Sequence, residues 1–157
     1  MAESAGYWLF KAEPDVYGIG HLAQEPQQTG RWDGIRNYQA RNFLRDRIRK
    51  DDQLFLYHSQ TRQPGIAGIA RVVKAAYADP LQFDPQSSYF DPKSDPANPR
   101  WVAVDIQLQH RFENLLTLSW LKQQEALEGM VLLRQPRLSI QPVSPAEWQF
   151  ILQAAAS

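Results

Sequence analysis

Between Trp101 and Phe112 the chain alternates without a break: Val102, Val104, Ile106 and Leu108 on one side, Ala103, Asp105 and Gln107 on the other. A period of two sends these sets to opposite faces of a strand. That run commits the chain to a sheet, and three other runs supply neighbours. YWLFK (7–11) mixes aromatic and aliphatic residues and predicts a buried strand. DQLFLYHS (52–59) predicts another, with Leu54 and Leu56 on one face and Phe55 and Tyr57 on the other. IAGIARVVKAAY (66–77) is apolar and β-branched, and Gly68 permits a bulge or a close backbone approach. RLSIQPV (137–143) holds a last strand.

Helices are marked by their starts. Asn37 is a candidate N-cap for a helix over 38–49, where Ala40, Phe43, Leu44 and Ile48 recur at helical spacing. Arg41, Arg45 and Arg49 form a separate stripe on the same helix. IGHLAQ predicts a short helix, and Thr117 a cap for LSWLKQQ. Ser144, Pro145 and Glu147 make a capping box ahead of a helix whose apolar face is Trp148, Ile151 and Leu152. EPDVYG (13–18) reads as a turn and QEPQQTG (24–30) as a loop. The stretch 78–100 holds five prolines, but Phe83, Tyr89 and Phe90 predict an ordered, packed excursion. Five or six strands and three or four short helices without βαβ alternation exclude a doubly wound fold. The expectation is a single α+β domain over 1–157: a strongly curved mixed sheet or open barrel flanked by short helices.

Charge matters for what such a domain binds. Seventeen cations balance seventeen anions overall. Residues 31–50 nevertheless carry seven cations (Arg31, Arg36, Arg41, Arg45, Arg47, Arg49 and Lys50) against Asp33 and Asp46. With no cysteine, disulfides and thiolate chemistry are excluded. His21, His58 and His110 lack metal-ligand spacing, so no metal is expected. Ser59 follows His58, and adjacent strand residues point to opposite faces, which disfavours a Ser–His pair. PGIAGIA (64–70) leads into a strand, whereas a phosphate loop needs a helix N-terminus. No apolar run is long enough to span a membrane, and MAESAGYWLFKAEP has no signal-peptide pattern. A cytoplasmic protein is expected, or a nuclear one in a eukaryote.

Nucleic acid fits the remaining features. A base needs a flat apolar wall and edge groups, and its phosphates need cations. Trp32 supplies a wall, Asp33 and Asn37 supply edge groups, and the arginine stripe supplies charge. Tyr7, Trp8, Tyr57, Tyr89 and Trp101 are further candidate walls. The same residues also fit a core, a helix cap and a solvated helix face, and composition alone does not separate the two readings.

YWLFKAEP (7–14), WDGIRNYQARNFLRD (32–46), LFLYHS (54–59), PGIAGIARVVKAAY (64–77), YFDPKS (89–94), NPRWVAVDIQ (98–107) and RLSIQPVSPAEW (137–148) together resemble the EVE domain family, in order and along almost the whole chain. Ala12 departs from the pattern, standing where the family often has serine. The resemblance implies a PUA-like fold related to the YTH domain and a pocket for a modified base. It places Trp8, Lys11, Trp32, Asp33, Asn37, Tyr38, Tyr57, His58, Ser59 and Trp101 around that pocket. Arg36, Arg41, Arg45, Arg134 and Arg137, with Lys11, are the implied phosphate contacts. The implied function is a non-enzymatic reader of a methylated or hydroxymethylated base in DNA or RNA, with no cofactor and no membrane; the sequence does not fix the oligomeric state, and a monomer is favoured. The alternatives are an enzyme acting on modified nucleotides through Asp33 or His58, and a module that binds a small molecule or a protein.

Overall fold

The computed structural model describes residues 6–156. The chain runs β1 (Tyr7–Ala12), α1 (Pro14–Tyr17), α2 (Ile19–Gln24), β2 (Thr29–Trp32), α3 (Tyr38–Asn42), β3 (Gln53–His58), β4 (Gly65–Ala78), β5 (Val102–Thr117), α4 (Leu118–Lys122), α5 (Val131–Arg134), β6 (Ile140–Pro142) and α6 (Pro145–Ala156). All six strands join one mixed sheet in the order β2-β5-β4-β3-β1-β6. β1 lies parallel to β3, with Tyr7 opposite Gln53 and Ala12 opposite His58. The other pairings are antiparallel. β2 and β6 are its two edges, so the sheet stays open. Register shifts along β4 and β5, one of them between Ile66 and Gly68, bend these long strands.

Alternation along the strands divides the core in two. Trp8, Phe10, Leu54, Leu56, Val104 and Ile106 pack with Leu22 of α2 and with Ala40 and Leu44 from the basic segment. Leu9, Phe55, Tyr57, Ile69 and Phe112 pack instead with Trp148 and Ile151 of α6. Trp148 stacks on Phe55 at 3.9 Å and on Tyr7 at 4.6 Å. The capping box that starts α6 is formed both ways: Ser144 N–H donates to Glu147 Oε1, and Glu147 N–H to Ser144 Oγ.

Three elements differ from expectation. The stretch 13–18 is not a plain turn, because Pro14 opens the one-turn helix α1. The expected loop 24–30 ends in an edge strand, β2, paired with β5 from Thr29 opposite Gln107 to Trp32 opposite Val104. The helix expected over 38–49 is a short α-helix followed by a π-turn over Phe43–Arg47, closed by Ile48 N–H donating to the Phe43 carbonyl. Its start is as expected: Asn37 Oδ1 accepts from Ala40 N–H at 2.9 Å.

The proline-rich excursion before β5 is organised from inside. Gln82 is fully buried; its amide donates to the carbonyls of Asp79 and Trp101, and its Oε1 accepts from Trp101 N–H and the Ser94 hydroxyl. Asp79, also fully buried, accepts from Gly34 N–H at 2.8 Å, Leu81 N–H at 2.8 Å and Arg36 at 3.0 Å. The excursion is thereby tied to the segment that follows β2.

Candidate nucleic-acid interface

A cavity of about 920 Å³ lies where the end of β1, α1, β2, the 33–37 turn and Tyr89 meet. β2 brings Trp32 inward, 7% exposed, against Phe10 at 5.7 Å and edge-on to Tyr17 at 6.0 Å. Two residues earlier, on the same face, Gly30 leaves room for Tyr17: a Cβ there would stand 2.2 Å from the phenol oxygen. Gly34 turns the chain out of β2 at φ 75°, a conformation that favours glycine. A Cβ at Gly34 would come within 3.0–3.2 Å of the Tyr89 ring. The two glycines therefore admit two of the three aromatic walls.

Polar groups surround these walls. The Tyr17 hydroxyl donates to Glu25 Oε1 at 3.1 Å. Burial first, and Glu25 second, raise the phenol's pKa, so it stays a neutral donor. Arg31 Nε donates to Asp33 Oδ2 at 2.7 Å. Lys11 donates to the Pro136 carbonyl, and burial lowers its pKa. Asn37 and Arg36 complete the rim. Arg36 is held within the protein: Nε and Nη2 grip the Tyr89 carbonyl, Nη1 reaches Asp79, and the guanidinium sits 5.4 Å from the Tyr89 and Trp101 rings. Its work is to clamp the excursion onto the turn.

Of the expected pocket residues, Lys11, Trp32, Asp33 and Asn37 line this one cavity. Six others lie elsewhere. Trp8 is core: its Nε1–H donates to buried Asp52 at 2.9 Å, and its ring packs on Phe43 at 5.5 Å. Tyr57 is 3% exposed and belongs to the cluster with Trp148. His58 Nε2 accepts from Ile19 N–H at 3.1 Å and so fixes the start of α2. Ser59 closes the β1–β3 ladder, its N–H and hydroxyl both donating to the Ala12 carbonyl. Trp101 is buried, with Nε1–H on Asp91 at 2.8 Å and its ring 4.9 Å from Tyr38. Tyr38 borders a separate, smaller cleft with Arg41 and Arg45.

Of the remaining expected phosphate contacts, Arg134 donates to the Glu128 carbonyl, and Arg137 borders a shallow depression that shares Asn37. Tyr17 and Glu25 were missed by the sequence; Gly30, spaced two from Trp32, is the only trace they leave there. Among the described residues, no group of three His, Asp or Glu side chains is placed to hold a metal, and no helix is long and apolar enough to cross a membrane.

Comparison with known proteins follows the same lines. The EVE domain model matches residues 6–154. Thymocyte nuclear protein 1 of Danio rerio is 40% identical over 162 residues, 92% of this chain and 70% of that protein. The Homo sapiens protein is 39% identical over 165 residues, 94% of this chain and 73% of that one. Human THYN1 solved in complex with 5-methylcytosine-containing DNA superimposes with a TM-score of 0.93 at 38% identity, covering 98% of this chain and 99% of that one. A Pseudomonas putida protein superimposes at 0.89 with 47% identity, covering 95% and 99%. The open mixed sheet with short helices is the PUA-like α+β arrangement, and the chain belongs to the EVE domain family.

Proposed function

We propose that this chain is a non-enzymatic reader of 5-methylcytosine in DNA, holding the base out of its strand in the cavity beside Trp32. The observation that carries the reading is the cavity's composition: three aromatic walls, Trp32, Tyr17 and Tyr89, ringed by Glu25, Asp33, Lys11 and Asn37. Extruding a base from a duplex costs a few kcal/mol. Stacking returns roughly 1–3 kcal/mol per base, so walls alone barely cover it and edge contacts must add to them. Cytosine presents an amino donor that Glu25 or Asp33 accepts, and ring acceptors that Lys11 or Asn37 serves. The 5-methyl group then lies on apolar surface. The solved complex of human THYN1 with 5-methylcytosine-containing DNA supports this ligand.

Two observations favour binding over catalysis. His58 is absent from the cavity's walls, and its Nε2 is taken by Ile19 N–H. Asp33 is engaged by Arg31. The test is fluorescence anisotropy on matched DNA and RNA strands carrying one 5-methylcytosine or one cytosine. The methylated DNA is expected to bind about tenfold tighter, the scale of one methyl group in a fitted apolar pocket. Asp33→Asn and Tyr17→Phe are expected to weaken binding; they spare the core better than truncation of Trp32. Equal affinity for both DNA strands sinks the reader, and a changed oligonucleotide mass after long incubation sinks its non-enzymatic character.

A further inference from the structure

A second cleft, about 410 Å³, opens between the basic helix and the proline-rich excursion. Two consecutive residues of the chain link it to the base cavity. Asn37 borders the cavity and Tyr38 borders the cleft, and consecutive Cα atoms stand about 3.8 Å apart. Four cations line the cleft, Arg41 and Arg45 from the helix and Lys93 and Arg100 from the excursion, against one carboxylate, Asp95. In a chain of zero net charge this is a concentrated local field. Arg45 is paired with Asp46, and Arg100 lies 3.5 Å from Asp91. Arg41 spends its hydrogen bonds on neutral oxygens, the Arg100 carbonyl and Asn42 Oδ1.

Tyr38 adds a second kind of surface. It is 52% exposed, yet its ring is set by Trp101 at 4.9 Å and by the Arg41 guanidinium at 4.8 Å. A large aromatic held in place and left open to solvent, at the mouth of a cationic cleft, suits a ligand with both flat rings and negative charge. A single-stranded step of nucleic acid has both.

We propose that the cleft takes the phosphodiester backbone next to the base held in the cavity, with Tyr38 stacking the adjoining base. The proposal rests on the reader function for its ligand, and it gives the proline-rich excursion a binding role through Lys93 and Arg100. The cleft is not selective for the methyl group; it sets affinity and the strand's path.

The test compares wild type with Lys93→Gln, Arg45→Gln and Tyr38→Leu on methylated and unmodified DNA across a salt series. Each cation removed is expected to weaken both single strands by the same factor, roughly three- to tenfold at 0.1 M salt, and to flatten the slope of log affinity against log salt by about 0.7. Tyr38→Leu is expected to weaken both strands with the slope unchanged. The methylated-to-unmodified ratio stays at its wild-type value in all three, and thermal unfolding confirms that they remain folded. A wild-type ratio of one, with the slope still flattened by Lys93→Gln, supports the cleft while removing the reader. A wild-type preference for methylated DNA with slopes unmoved in both charge variants overturns the cleft and leaves the reader standing. Failure of the wild type to bind any strand at low salt overturns both.

Discussion

Ile19 begins α2 with a backbone N–H that no carbonyl of its own helix accepts, and His58 Nε2 takes it from a neighbouring strand. Only the neutral imidazole accepts that bond. Burial first, and the charge of Arg111 second, lower the His58 pKa below the ordinary value of about 6.5. As pH falls, the unfolded chain therefore takes up this proton before the folded one does. The stability involved is fully present above about pH 6.5 and is lost as pH falls from there towards the folded-state value. Urea midpoints measured from pH 8 to pH 5 are expected to fall below pH 6.5, and His58→Gln, whose amide oxygen still accepts, is expected to flatten that limb. An unchanged limb in the variant would show that other groups cause it. The same residue shows where single-residue reading fails. Tyr57, His58 and Ser59 are consecutive, and a strand sends neighbours to opposite faces, so they do not form one wall. Lys11, Trp32, Asp33 and Asn37 come from a strand end and a turn, where that alternation no longer separates them.

Between residue and whole lies the excursion that precedes β5. Its order depends on Asp79, whose carboxylate serves two backbone N–H groups and Arg36 with no exposure to solvent. Asp79→Ala leaves those donors without their partner and is expected to cost about 3 kcal/mol or more. Limited proteolysis is expected to open the variant within 84–100 first, with the sheet still intact; cleavage elsewhere first would show the excursion held by other contacts. At this scale the sequence was legible wherever periodicity ran long. β3, β4 and β5 follow from alternation or β-branched runs, and α6 from its capping box. β2 was not legible, because four residues containing Gly30 carry no period and its strand character comes from pairing with β5. The π-turn at Phe43–Arg47 keeps helical spacing in sequence while changing its hydrogen bonds, so only the structure separates it from α-helix. Tyr17 and Glu25 enter the cavity through the path of α1 and α2, which leaves no local pattern.

For the molecule as a whole, the sheet separates two tasks. Trp148 anchors the cluster built on α6, stacked on Phe55 and Tyr7, while Trp32 belongs to the other cluster, beside the cavity. Trp148→Ala is expected to cost about 3–5 kcal/mol by urea unfolding. The preference of its folded fraction for methylated DNA is expected to stay at the wild-type value in anisotropy titrations, and a changed preference would show that the two clusters are coupled. Zero net charge means that attraction to nucleic acid is local, set by where the cations sit rather than by their number. The parallel pairing of β1 with β3 has a further consequence for how such a molecule changes over time. Two parallel neighbours require a long crossover, and here it is the segment 13–52, which runs back from the Ala12–His58 end of the ladder to its Tyr7–Gln53 end. Every residue bordering the cavity lies in that segment except Lys11, Ala12, Tyr89 and Ser139. The segment is thus a cassette: a graft from a relative between Ala12 and Gln53 would exchange most of the cavity's lining together with the edge strand β2, and new specificities can arise there one substitution at a time while the pairing of β1, β3, β4, β5 and β6 stays as it is.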